Sequence, residues 1–351
     1  IVKYFNIIFY SSRTKPHYFL IFCQFYSIDY YEVGNKKSLV YMKNKKICII
    51  GYGHHVEKTI IPSLSIKSEN IKIVTKKKLK NFETFPNIKE ALKILTKDYI
   101  FFNSTPPKLH YSITKLILSS GFNVIVEKPL CLSESQLKNL KKIATNKKLI
   151  MFENMMYLYS KQFQFFKKLF DKKKKEIKKI DINFSIPSLN KKSFRKDNNL
   201  NSSILFDMGC YPFSLLAYFG IKNKSYEITY KLSKKKLSLI NICFITKKIK
   251  FNIIISIYRS YENYIKIYFK DNFVYHLNHF FYGKKIKKYN YIYDEKNNLK
   301  ILKIEEKNLF SEIFNFSNRK LLKLSRDQHL IIKNYLISLN QIKKKLNYSS
   351  Y

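Results

Sequence analysis

The segment Gly121–Leu130, GFNVIVEKPL, holds a turn glycine, a short apolar strand and then Glu127-Lys128-Pro129 at the strand's carboxyl end. In an open α/β sheet, ligands occupy the crevice outside the carboxyl ends of the strands. A lysine placed there faces a bound molecule rather than bulk solvent, so Lys128 is the first candidate for chemistry.

Outward from this segment, apolar runs alternate with helical periods. Upstream, residues 47–50, 71–74 and 99–103 read as strands, and residues 54–64, 87–95 and 110–119 as helices between them. Downstream, Ser133 followed by Gln136 has capping-box spacing and opens a helix running to about Thr145, before another apolar run at 149–152. Strands alternating with helices at this interval imply a parallel sheet. The fold class expected is α/β, with an N-terminal Rossmann-type dinucleotide-binding domain.

After residue 152 the rhythm changes. Lysine runs at 172–175 and 178–179 read as solvated faces, and strand signals follow at 180–186, 226–232, 237–245, 249–258, 264–269 and 273–277. One helical stretch, 204–219, interrupts them, and a helical period recurs at 326–346. Consecutive strands with short connections imply a C-terminal α+β domain, its largely antiparallel open sheet covered by helices on one face. The organised pattern begins just after Met42, the first methionine, where a natural start is expected; residues 1–41 are left unassigned. The expected division is 42–163 for the dinucleotide and 164–351 for substrate and dimerisation, with the C-terminal helix at 326–346.

With 351 residues, 46% of them hydrophobic, the chain can bury two cores. Its net charge of +43 raises a nucleic-acid reading, because clustered cations pair with phosphates. Yet only five of the 67 basic residues are arginine, and the lysines are spread through the chain with Ile, Asn, Tyr and Phe, which share A/T-rich codons. Lysine also lacks the bidentate fork of arginine. The charge therefore reads as compositional drift, and no specific nucleic-acid partner is expected. The five cysteines form no CxxC pair and read as reduced thiols of a cytoplasmic protein. No apolar run reaches the roughly 18 residues of a membrane span, so no membrane partner is expected. Neither His54/His55 nor His276/His279 has a carboxylate or cysteine at ligand spacing, so no metal is expected.

The motifs converge on a dinucleotide. Gly51-x-Gly53-x-x-Val56 follows the first strand and opens a helix, where backbone N–H groups hold a pyrophosphate. The first two glycines carry the turn and the close approach, whereas the third, replaced by Val56, serves helix packing. His54 and His55 flank this turn. About 20 residues further, an NAD site places an acid on the ribose; here Thr75-Lys76-Lys77 offers a hydroxyl and cations, which favours NADP slightly over NAD. Ser104-Thr105-Pro106-Pro107 turns the chain at the sheet's carboxyl edge, passing over the cofactor with His110 nearby. Glu127 holds Lys128, which can hydrogen-bond the reacting oxygen and the cofactor ribose. Asp207 and Tyr211 lie four apart on one helix face, so the phenol can exchange a proton while the carboxylate orients substrate hydroxyls. Arg195, scarce among lysines, suits a phosphate or carboxylate of the substrate.

The stretches KKICIIGYGHHVEKTIIPSL, STPPKLHYS, GFNVIVEKPL, MFENMMYLYSKQFQFFKKLF and FRKDNNLNSSILFDMGCYPFSLLAYFG, in this order, resemble the glucose–fructose oxidoreductase/inositol dehydrogenase family. The resemblance implies NAD(P)-dependent hydride transfer to or from a sugar, cyclitol or nucleotide-linked sugar, and an open sheet that forms a homo-oligomer. By motif position, Lys128 corresponds to the family's catalytic lysine, and Asp207 and Tyr211 to its acid and His-or-Tyr pair. Asn201-Ser202-Ser203 stand where the family usually has glycines. An alternative of the same fold is a catalytically inactive NAD(P)-binding regulator or scaffold.

Overall fold

Runs of β-branched and aromatic residues that are apolar at every position can only lie inside a layered fold, covered on both faces. The computed structural model describes residues 45–187, 203–222, 225–234, 236–257 and 259–346; Arg195 and residues 1–44 lie outside the described residues. Here β1 (Lys46–Ile50) leads into a helix, α1, wound as a π-helix over Val56–Ile60 and as an α-helix over Ile61–Ser63. Then come β2 (Ile71–Val74), β3 (Glu83–Phe85), α2 (Ile88–Ile94), β4 (Tyr99–Asn103), α3 (Pro107–Ser119), β5 (Asn123–Val126), α4 (Glu134–Asn146) and β6 (Met151–Glu153). The strands form one six-stranded sheet in the order β3-β2-β1-β4-β5-β6, every pair parallel. Its order reverses beside β1, the topological switch point at which such sheets hold ligands. Side chains cap the helices as the sequence suggests: Asn87 Oδ1 accepts from Glu90 N–H, and Ser133 Oγ from Gln136 N–H. Gln136 reaches back to Leu132 N–H at 2.9 Å, one residue short of a reciprocal box.

The second sheet has eight strands. After α5 (Lys161–Lys173) come β7 (Ile177–Ile186), α6 (Ser203–Asp207), α7 (Cys210–Tyr218), β8 (Glu227–Ser233), β9 (Lys236–Thr246), β10 (Ile249–Ile257), β11 (Glu262–Phe269) and β12 (Val274–Asn278). Two strands absent from the expectations, β13 (Ile286–Tyr293) and β14 (Leu299–Glu306), extend it to the order β14-β13-β12-β11-β7-β10-β9-β8. The sheet is antiparallel except for the pair β7 and β10. Ile180, Ile182, Ile240, Ile242, Ile253, Ile255, Ile265 and Ile267 alternate inward and are buried. The opposite face carries the polar register Asn252, Asp181, Lys266 and His276 on adjacent strands.

The expected single helix at 204–219 is two, broken at Met208-Gly209. The chain passes so close to its preceding turn that a Cβ on Gly209 would collide with the Leu205 carbonyl and crowd Leu339. After β14, α8 (Leu309–Phe314) and the 28-residue α9 (Asn318–Lys345) return to the first sheet. Gln328 on α9 accepts from Glu153 N–H at 3.1 Å and donates to Glu153 C=O at 3.0 Å, pairing with β6 as a further strand would. Phe314 packs edge-on against Phe102, and Lys45 Nζ donates to the Phe314 carbonyl at 2.7 Å. Sequence-distant elements are thereby joined behind the site.

Candidate active site

β1 ends at Ile50, and the chain turns through Gly51 at φ +91°, a left-handed conformation in which a side chain is strained. A Cβ on Gly51 would lie 3.1 Å from the Ser104 carbonyl, so the glycine allows the turns after β1 and β4 to approach. Ser104 N–H donates to Ile50 C=O at 3.0 Å, joining those two turns. A Cβ on Gly53, by contrast, would meet nothing within 4 Å, so the space beside the second glycine is open. Val56 is buried and begins the π-wound turn, the packing position where a third glycine was missing.

At the end of β2, Thr75 Oγ1 accepts from Lys77 N–H at 3.2 Å, turning the backbone, and the Lys77 ammonium lies over the Tyr52 ring at 5.5 Å. Lys76 is exposed. The turn after β4 is held by a residue the sequence reading did not single out. Asn103 is buried; its amide donates to His110 C=O and Thr114 Oγ1, and its oxygen accepts from Thr105 N–H and Oγ1. His110 is also buried, with ring nitrogens 2.7 Å from the Pro129 and Thr105 carbonyls. Burial pushes its pKa down, and a neutral imidazole has one N–H, so one carbonyl at a time accepts a hydrogen bond from it. His110 ties the Thr105 loop to the Glu-Lys-Pro turn. Pro106 precedes α3 and starts it.

Glu127 N–H donates to Asn103 C=O at 2.9 Å. Its carboxylate accepts from Asn154 Nδ2 at 2.7 Å and lies 3.4 Å from His55 Nε2, whose ring meets Phe310 edge-on. Burial raises the Glu127 pKa, but hydrogen bonds from His55 and Asn154 and the Lys128 charge outweigh it, so the pKa is lowered. His54 is exposed at the same turn.

The Lys128 ammonium reaches across to the second domain. It donates to Asp207 Oδ1 at 2.9 Å and to Asp207 C=O at 2.6 Å, and it sits 4.9 Å over the Tyr211 ring. The Lys128 side chain is 13% exposed and that of Asp207 4%, so the pair is shielded without being sealed. Breaking one member of such a pair strands the other's charge. Tyr211 is packed against Phe184, Tyr157 and Phe281. Burial pushes its phenol well above the ordinary range. The hydroxyl's hydrogen-bond partner is Met156 Sδ at 3.8 Å, a weak acceptor. The structure thus brings Lys128, Asp207 and Tyr211 together, with the ammonium on the phenol's ring face.

Behind Lys128 stands a second residue that sequence reasoning missed. Glu153, 1% exposed, accepts from Leu130 N–H at 2.7 Å and from the Tyr335 hydroxyl at 2.5 Å. It fixes the chain just after the Lys128-Pro129 bond, which is cis. Burial pushes its carboxyl up to about 7, against the hydrogen bonds from Tyr335 and Leu130 and the pull of Lys128.

A parallel sheet with the β1 switch point, a left-handed glycine after β1 and a lysine at the carboxyl end of β5 define a dinucleotide-type α/β domain joined to an open-sheet domain. Residues 45–155 match the Gfo/Idh/MocA model, described as an oxidoreductase family with an NAD-binding Rossmann fold. Over 115 residues the chain is 28% identical to the dTDP-3,4-didehydro-2,6-dideoxy-alpha-D-glucose 3-reductase of Actinomadura kijaniata, spanning 32% of this chain and 35% of that relative. Among solved structures, a 3-ketoreductase from Actinomadura kijaniata in complex with NADP and TDP-benzene superposes with TM-score 0.72 at 16% identity, covering 84% of this chain and 96% of that one. The UDP-N-acetylglucosamine 3-dehydrogenase of Acidithiobacillus ferrooxidans gives 0.62 at 13% identity, covering 85% and 96%. The resemblance read from the motifs therefore holds for the first domain, and the two-domain fold is shared along nearly the whole length of both neighbours.

Proposed function

We propose that this chain is an NAD(P)-dependent oxidoreductase acting on a nucleotide-linked sugar at a CH–OH or ketone carbon. The observation that carries the reading is the Lys128 ammonium, held by Asp207 of the second domain and set over Tyr211 at the strand ends. The residues fit a dinucleotide: Gly51 takes a left-handed φ, the space beside Gly53 is open, and Lys76 and Lys77 stand where a 2′-phosphate needs cations. Gly51, Gly53, His54 and His55 would border the pyrophosphate, Thr75 and Lys76 the ribose phosphate, and Ser104, Thr105 and Pro106 the near side of the ring. NADP is favoured by these cations, and a bound nicotinamide supplies or accepts the hydride. His110 and Glu127 act through the turns they hold.

Lys128 donates a hydrogen bond to the substrate oxygen and stabilises the charge that grows there. Asp207 keeps that ammonium charged and oriented, and its carboxylate can accept from a sugar hydroxyl. Tyr211 carries a hydroxyl whose present acceptor is a thioether, so a substrate oxygen can replace that partner and exchange the proton. Arg195 is assigned to the substrate's phosphate. Ile245, Tyr289, Leu299 and Ile301 are exposed on the second sheet and would be covered in a homo-oligomer, the form proposed for a cytoplasmic enzyme.

Lys128→Met tests the assignment. Turnover with a panel of nucleotide-linked ketosugars should fall by roughly 10²-fold or more, while nicotinamide fluorescence still reports cofactor binding. Unchanged turnover removes Lys128 from the chemistry, and absence of cofactor binding in the unaltered protein removes the whole reading.

A further inference from the structure

At the amino end of β6, away from the strand ends that carry Lys128, α4 and the N-terminal half of α9 flank a second, partly open cavity of about 320 Å³. That is within the range of small-molecule sites, roughly 300–1,000 Å³. Lys141, Thr145 and Lys148 line it from α4 and the turn after it, and Ser325, Arg326 and His329 from α9. Leu149, Met151 and Leu322 supply apolar wall, and no carboxylate lines it among the described residues.

In this chain a lysine on a surface means little, because 67 of 351 residues are basic and all but five of those are lysine. An arginine and a histidine three apart on one helix are not that background. Arginine's planar fork is the side chain suited to bidentate recognition of a phosphate. The larger cavity between α5 and the β9–β10 turn, about 640 Å³, shows the contrast: its cations are all lysine. One of them, Lys167, is already paired with Asp171 at 2.9 Å. Around the smaller cavity the chain also departs from ordinary helix termination. Lys148 takes φ +54° just after α4, a position that glycine or asparagine usually fills, and so carries a cation to the rim. Burial first, and the charges of Lys141 and Lys333 after it, lower the His329 pKa to about 4.

We propose that this cavity binds a small phosphate-bearing molecule, its phosphate held by Arg326 and His329 with Lys141 and Lys148, and its carbon skeleton against Leu149, Met151 and Leu322. The site is separate from the Lys128 site and stands whether or not that site is catalytic.

The test follows the ring resonance of His329 by NMR in the full chain, titrated with inorganic phosphate and with phenyl phosphate. Ionic strength is held constant with chloride, since so basic a chain gathers anions generally. A saturable shift toward the protonated position is expected in millimolar ligand or below. Arg326→Gln should weaken it by at least about tenfold, Lys141→Gln should weaken it as well, and Lys93→Gln, at an exposed position of α2, should leave it unchanged. Tighter binding of phenyl phosphate than of the free ion is expected, and equal binding overturns the assignment of Leu149, Met151 and Leu322 to a carbon skeleton. Absence of saturation, or equal binding by the Arg326→Gln protein with its fold confirmed by circular dichroism, overturns the proposal.

Discussion

Replacing Glu153 by glutamine should remove a pH dependence of stability that the native protein carries. The carboxyl titrates at 4.5 when unhindered and at about 7 when folded. Between those values the native state keeps a proton that the unfolded chain has released, so stability falls as pH rises through this window and levels off above it. At about 1.4 kcal/mol per unit the loss comes to about 3 kcal/mol. Glu153 is 1% exposed, so solvent screening takes little from that figure. Glutamine is neutral throughout, and its amide oxygen can still accept from Leu130 and Tyr335. Urea denaturation of both proteins, repeated at intervals from about pH 5 to pH 8, should give a stability difference that moves in favour of the variant by about 3 kcal/mol with rising pH. Any constant offset from the new amide is separate from this slope. Parallel curves for the two proteins would refute the account of Glu153 as a proton-holding buried acid.

Other outcomes follow from the same contacts. Tyr211→Phe should lower kcat by roughly 10²–10⁴-fold, yet shift stability by under about 1 kcal/mol because the lost partner is a thioether; steady-state kinetics and a melting curve read the two effects. Gly209→Ala puts a methyl group against the Leu205 carbonyl and should cost about 1–3 kcal/mol, seen as a lower urea midpoint. Lys76→Glu should weaken NADP relative to NAD by at least about tenfold, measured by fluorescence titration with each cofactor.

Strands β1, β2, β4 and β5 were legible because each is an apolar run closed by Gly, Pro or a polar turn, the pattern left by burial on two faces. The outer strands were not. IKKYNYIY and LKILKIEE carry lysines among their apolar residues on both faces, Lys288 being buried beside Gln162 and Glu306, so their alternation is lost in the lysine background. The edge strand β3, of three residues, is too short to show a period. At the site, Lys128, Asp207 and Tyr211 could be singled out because each sits in a local motif. Asn103 had no such mark, since its role comes from four hydrogen bonds in a turn. Glu153, Gln328 and Tyr335 are 175 or more residues apart in their pairings, so no local window contains the contact. The break at Met208-Gly209 was hidden because both flanking segments are apolar and helical, and only the approach to Leu205 reveals it.

The helix α9 has a consequence for how the molecule comes into being. It covers β6 and buries Ile332, Tyr335, Leu336 and Leu339, yet its first residue, Asn318, is synthesised 165 residues after Glu153, the last residue of that strand. A chain still emerging from the ribosome therefore exhibits its first sheet with one flank bare, and such exposed apolar surface is prone to aggregate. Chaperone capture at that flank, or slow elongation through the intervening strands, would decide the yield of finished protein more than the propensities of the sheet itself.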